Sequence, residues 1–248
     1  MTGGVAVVVR KGLPEIRDYR RSLERSRQSR VGLDRPTVFS LAGREWDLLP
    51  DVFAPNHSPT TGFSLTLLDL AEPSGRRRSG ALLEMGCGTG VIAVSAAIAG
   101  CAPVVAADIN PAAVDNAHLN AVRHGMAKTV RAVQSDLFDN LSPAERFDLV
   151  FWHSNYVLAP ADYRYASIHE SAYVDPGYAA HRRFLTEAPA WCTPTGSVLL
   201  HFSARGDHEA LTRIAAECGR ALRVRRRALF LEGDREVEHM LIEVTVAR

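Results

Sequence analysis

The sequence predicts an α/β fold: a mostly parallel sheet with helices on both faces, ending in an antiparallel hairpin. Three observations carry this. From residue 81 onward, short apolar runs alternate with longer helical stretches, the pattern of parallel strands buried on both sides. Leu82-Leu83-Glu84-Met85 runs into Gly86-Cys87-Gly88-Thr89-Gly90 and then into the apolar segment 91–99, giving strand, tight turn and helix in succession. The segments 223–231 and 238–246 are strand-like and are joined by Glu232-Gly233-Asp234, a hairpin signature at one sheet edge.

The elements follow in order. Residues 14–30 have helical composition with a thin apolar stripe of Ile16, Tyr19 and Leu23, so this helix lies on the surface or covers something. Residues 37–49 alternate around Ala42-Gly43 and read as a β-hairpin. Residues 54–62 are loop, 63–71 helical, and Pro73 to Gly80 an exposed connection. Strands are expected at 81–85, 104–107, 130–134, 147–152 and 198–202. Helices are expected at 91–99, 111–124, 177–191 and 207–218, the second with Pro111 in its first turn. No internal repeat is present. The expected division is an N-terminal helix and hairpin extension over 1–52 and one larger domain over 53–248.

Composition excludes several classes. Net charge is +1, so no global basic field argues for nucleic acid. The arginines cluster, as in Arg17 to Arg30, Arg76 to Arg78 and Arg223 to Arg227, and read as solvated faces. Cys87, Cys101, Cys192 and Cys218 form no CxxC, so neither a disulfide framework nor a zinc site is expected. Reduced thiols fit a cytoplasmic protein. The apolar run from Val5 to Val9 is too short for a membrane span.

In an open parallel sheet, ligands sit beyond the carboxyl ends of the strands. Four strands here end in polar residues at that edge: Glu84 with the glycines, Asp108, Asp136, and the run His153-Ser154-Asn155-Tyr156. The glycine spacing is GxGxG, not the GxGxxG of a dinucleotide site, and no GxxxxGK[ST] is present. Glu84 would repel a pyrophosphate and suits a cationic ligand. S-adenosylmethionine has that polarity: a cationic amino-acid end and sulfonium, a ribose diol for Asp108, and an adenine amino group for Asp136.

With these motifs the chain resembles the class I S-adenosylmethionine-dependent methyltransferases over about residues 80–246. The resemblance implies a Rossmann-like seven-stranded sheet with a reversed final hairpin. The cofactor set it implies is Thr61, Glu84, Gly86, Cys87, Gly88, Gly90, Asp108, Ile109, Asp136, Leu137 and His153. The run after Phe147-Asp148-Leu149-Val150-Phe151-Trp152 sits where amino- and amide-methylating families carry Asn-Pro-Pro-Tyr. The hairpin at 37–49, Phe53-Ala54-Pro55, Thr60-Thr61 and Ile168-His169-Glu170 extend the likeness to the glutamine N-methyltransferases that act on peptide release factors. Only Tyr156 keeps the four-residue motif, and the N-terminal helical domain shrinks to about one helix. Both departures argue for another, small acceptor.

The expected catalytic residues are His153 as base or acceptor, with a pKa near neutrality, Asn155 orienting the target and Tyr156 packing on it. Residues 156–178, with five tyrosines, read as a lid over the substrate. His57, Tyr156, His169 and Glu170 are the expected substrate neighbours, with Glu170 or Asp175 pairing a cationic acceptor. The expected reaction is N-methylation of a small amine, guanidine or amide by a monomer or homodimer. Two alternatives stand beside it. One is a protein or RNA N-methyltransferase; the other is a non-catalytic partner subunit that binds through Trp46, Trp152 or Trp191.

Overall fold

The computed structural model describes residues 17–31, 35–71 and 78–247. The Val5–Val9 run, Ile16, Arg76 and Arg77 lie outside the described residues. A helix α1 (Tyr19–Val31) and a hairpin β1 (Val38–Leu41) and β2 (Arg44–Asp47) come first, then α2 (Thr60–Leu67). The units β3 (Leu82–Met85), α3 (Val91–Ala99), β4 (Val104–Asp108), α4 (Pro111–Arg123) and β5 (Val130–Gln134) follow. Next come β6 (Phe147–His153), the short β7 (Leu158–Ala159) and β8 (Asp175–Pro176), and α5 (Ala179–Glu187). The chain closes with β9 (Cys192–Ser203), α6 (His208–Glu217), β10 (Arg220–Glu232) and β11 (Arg235–Val246).

Seven strands form the main sheet in the order β10-β11-β9-β6-β3-β4-β5. β3 pairs in parallel with both β4 and β6, and the last two strands return antiparallel beside β9. Strand order therefore reverses between β3 and β6, and the two loops that leave this switch point carry the glycine turn and His153–Tyr156. One face packs Phe138, Trp152, Phe184, Leu211 and Ile214; the other packs α2, α3 and α4 together with the N-terminal hairpin. Among the described residues no helix is long and apolar enough to cross a membrane.

The hairpin is held by asparagines one turn apart on α4. Asn120 Oδ1 accepts from Asp47 N at 2.7 Å, and Asn116 Oδ1 accepts from Leu49 N at 2.9 Å. Both asparagine amide groups donate back to Asp47 O. Trp46 is fully buried there, 4.3 Å from the His124 ring. Trp152 is buried too, and Trp191 stacks on Phe138. Trp46 and Trp152 are thus core residues rather than a partner surface, and Trp191 is half-buried against the core.

Other boundaries shift for local reasons. α2 starts at Thr60, directly after its cap Pro59, rather than at residue 63. The helix expected over 177–191 ends at Glu187, and Pro189 starts a separate 3-10 turn before β9. β9 begins six residues before Val198. β7 and β8, of two residues each, are too short for alternation to register. Exposed arginines of these runs have partners: Arg226 grips Asp69, Arg30 meets Asp51, and Arg227 meets Glu238.

Candidate active site

The turn after β3 has three left-handed glycines, and two of them face backbone or side-chain walls. A Cβ on Gly90 would sit 2.7 Å from Ala117 Cα, and one on Gly86 would sit 3.2 Å from Trp152 Nε1. Glu84 lies beneath this turn, fully buried, with Oε2 accepting from Ala93 N at 2.7 Å. It therefore caps the start of α3 rather than bonding the glycine amides. Burial pushes its carboxyl well above the usual range. Asp108 joins the next loop to the turn: Oδ2 accepts from Gly88 N and Oδ1 from Asn110 N, both at 2.9 Å. Each oxygen keeps a lone pair for a further donor.

These residues line one wall of a cavity of about 610 Å³. Every expected site residue borders it except Gly90, which is packed against α4, and Glu170. Ile109 stands 40% exposed at the wall and Leu137 is buried beside it. Asp136 is exposed at the rim, where Arg183 Nη1 meets it at 3.0 Å. His57 is exposed at the rim and Thr61 is buried in α2. The acids and glycines suit a phosphate-free ligand with donors of its own, because Glu84 and Asp108 are the carboxyl groups under the turn.

The opposite wall starts at the end of β6. His153 stacks on His201 with ring centroids 4.5 Å apart. Burial, with His239 nearby, lowers its pKa to about 3. The expected base near neutrality is thus corrected: desolvation holds this imidazole neutral and weakly basic. His153→Ala should therefore leave the shape of the pH–rate profile between about pH 6 and 8 unchanged. A lost inflection in that window would overturn this assignment. Asn155 Nδ2 donates to Ser171 O at 2.8 Å and Val174 O at 2.9 Å. Its Oδ1 is buried without a hydrogen-bond partner. Tyr156 borders the cavity but packs its ring among His201, Phe202 and His239, so stacking on a target is not its main contact.

The roof is made by α1 and residues 156–178. Ser26 Oγ bonds His169 Nδ1 at 2.7 Å. His169, which borders the cavity, is thereby also tied to α1, and burial lowers its pKa to about 4. Glu170 turns back into its own segment, accepting from Tyr163 OH and Ala166 N. Asp175 is buried and bonded to His181 Nδ1 at 2.6 Å. Both acids are engaged within the protein: Glu170 by two donors of its own segment, and Asp175 by His181 on α5.

Three groups at the cavity were not visible in the sequence: Arg183, Trp152 and Arg25. The missed signal for α1 is a polar stripe. Ser22, Ser26 and Ser29, at spacings of four and three, are its buried face, and Arg25 follows them into the cavity wall.

Residues 53–160 match the family of ribosomal protein L11 methyltransferases, PrmA. A putative protein N5-glutamine methyltransferase of Methanocaldococcus jannaschii is 28% identical over 185 residues, covering 71% of this chain and 85% of that protein. The L11 methyltransferase of Rhodopseudomonas palustris is 43% identical over 86 residues, but these span 35% of this chain and only 28% of that relative. Among solved structures, the T. thermophilus 16S rRNA N2 G1207 methyltransferase in complex with AdoMet and guanosine superposes with a TM-score of 0.58 at 20% identity. That likeness covers 85% of this chain and 50% of the other. By its sequence relatives, its sheet order and the glycine turn at the switch point, the chain is a class I S-adenosylmethionine-dependent methyltransferase.

Proposed function

We propose that the chain methylates a nitrogen of a small molecule, an amide or a neutral amine, held between Asn155 and the α1 roof. The observation that carries this is Asn155 Oδ1, buried at the cavity with no donor. Its Nδ2 is committed to two lid carbonyls, which fixes the orientation of the amide and leaves Oδ1 buried without a donor; the acceptor N–H must reach it from the cavity that Asn155 lines.

Bound S-adenosylmethionine supplies a methyl group on a positively charged sulfur, already activated for transfer. The residues then have positioning roles. The Gly86–Gly88 backbone would admit the amino-acid end, and Asp108 would receive ribose hydroxyls. Asp136 and the apolar faces of Ile109 and Leu137 would hold the adenine; Thr61, Cys87 and His153 line the same cavity. Asn155 aims the acceptor nitrogen, while α1 and the lid exclude water. His153, with its pKa near 3, accepts a hydrogen bond but does not hold a proton at neutral pH. An acceptor that arrives with its lone pair free suits this site better than an alkylammonium. In this reading α1 of the N-terminal extension roofs the acceptor end, the hairpin of that extension packs on α4, and the domain from residue 53 onward carries the transfer in the cytoplasm.

Asn155→Ala should lower kcat/KM by about 10- to 100-fold, through loss of the orienting bond and of the two bonds that hold the lid carbonyls. Affinity for S-adenosylhomocysteine, measured by calorimetry, should stay within about twofold. Undiminished turnover would overturn the role of Asn155. A second reading, a protein or RNA nitrogen, is favoured by the names of the relatives. Incubating the enzyme with methyl-labelled cofactor and fractionated extract separates the two: label in the low-mass fraction supports the first, label in protein or RNA the second.

A further inference from the structure

Arg25 projects from α1 into the cavity wall, half-buried, and its Nη2 donates to Ser22 Oγ at 3.0 Å. Among the described residues no carboxylate forms an ion pair with it. The acid that acts on it from nearby is Glu232, which is already held by Arg205 and His239. The other acids at the cavity are engaged as well. Glu84 caps α3, Asp108 bonds two loop amides, Asp136 meets Arg183 and Asp175 meets His181. A guanidinium withdrawn from water without a counter-ion is costly, and Arg205 adds a like charge beside it. The acceptor end of the cavity is therefore electropositive.

Arg25 and the unpartnered Asn155 oxygen flank the same piece of roof. Asn155 Nδ2 bonds the carbonyls of Ser171 and Val174, on either side of Tyr173, and Tyr173 neighbours Arg25. Gln28, one turn along α1, faces the same space.

We propose that Arg25 binds a carboxylate of the acceptor, so that the substrate is an anionic small molecule presenting its N–H to Asn155 and its carboxylate to α1. This rests on the methyltransferase reading of the cavity. The planar fork of Arg25 matches two carboxylate oxygens at once. An ammonium-bearing acceptor would meet a like charge instead, which reverses the cationic acceptor expected from Glu170 and Asp175.

The test uses the full chain saturated with S-adenosylhomocysteine. Benzoate, 4-aminobenzoate and N-acetylglycine are each titrated against their carboxamides, with phenyl phosphate as a further probe. Wild type should bind at least one acid about tenfold or more tightly than its amide. Arg25→Gln should erase that preference, and Arg25→Lys should restore part of it. Equal affinity within every pair, no binding of any acid, or a preference that survives Arg25→Gln would overturn the proposal. Arg25-dependent binding of phenyl phosphate in place of the carboxylates would overturn it in favour of a phosphorylated acceptor. Failure of wild type to bind S-adenosylhomocysteine would instead sink the methyltransferase reading beneath it.

Discussion

Gly90→Ala should destabilise the protein by about 2–4 kcal/mol and weaken cofactor binding at least about tenfold. Gly90 is the cap of α3 at φ 76°, in the left-handed region that costs a side chain free energy. The added methyl would also lie 2.7 Å from Ala117 Cα and 2.8 Å from Ala117 Cβ, on the buried face of α4. Those atoms belong to a helix, so they cannot rotate away, and α3 and α4 must separate. Asn120 crosses this same seam, donating to Thr89 O at 2.8 Å and to Asp47 O. Spreading it would loosen the turn and the N-terminal hairpin together. Gly88→Ala is the matched comparison: φ is also positive, at 53°, but nothing lies within 4 Å of the new Cβ. Thermal melting should show a drop of about 5–15 °C for Gly90→Ala and a much smaller one for Gly88→Ala. Equal drops would mean that backbone strain alone, and not the α3–α4 contact, sets the cost.

Glu232→Gln should cost about 3 kcal/mol at pH 7, with the loss concentrated at the C-terminal hairpin. Glu232 ends β10 with its side chain 6% exposed and is the acid of a buried chain. Its Oε1 bonds His239 Nε2 at 2.8 Å, His239 Nδ1 bonds His201 Nε2 at 2.9 Å, and His201 Nδ1 bonds Ser64 Oγ at 2.5 Å. Its Oε2 accepts from Arg205 Nε at 2.7 Å. Burial alone would raise this carboxyl, but the bonds from His239 and Arg205 outweigh it and hold the pKa at about 2, against an ordinary 4.5. A depressed carboxylate pKa stabilises the fold above its unfolded value, because there the unfolded chain binds no extra proton. Its contribution is therefore complete above about pH 4.5 and is lost as pH falls toward 2. Denaturant melts of wild type and Glu232→Gln should differ most at neutral pH, approach each other as pH falls through about 4.5 and converge only below about pH 2. A difference that persists there would point to packing rather than charge. The chain reaches the site through α2: Ser64 is on the same helix as Thr61, and Phe63 stacks on Phe230 with centroids 3.8 Å apart. Loosening the hairpin should then also raise the KM for the cofactor.

The proposed cofactor wall was legible as a cluster because its residues are consecutive or end successive strands. Glu84, the glycines, Asp108 and Asp136 follow from the alternation of strand and helix, and a parallel sheet must bring those strand ends to one edge. The N-terminal hairpin was legible for the same local reason, a glycine turn between alternating runs.

What the sequence by itself determined about this protein is thus the order of its elements and the edge at which the acids and glycines meet. Only the tertiary structure decided what each polar group is free to do. Tyr163 and Ala166 engage Glu170, His181 takes Asp175, α1 takes His169, and desolvation beside His201 removes His153 as a base. Arg25 looked like one more solvated arginine until a stripe of small buried serines turned it toward the cavity. The physical reason is common to all of them. Strand and helix periodicity are local properties of the chain, whereas charge state and hydrogen-bond availability depend on burial and on partners far away in sequence.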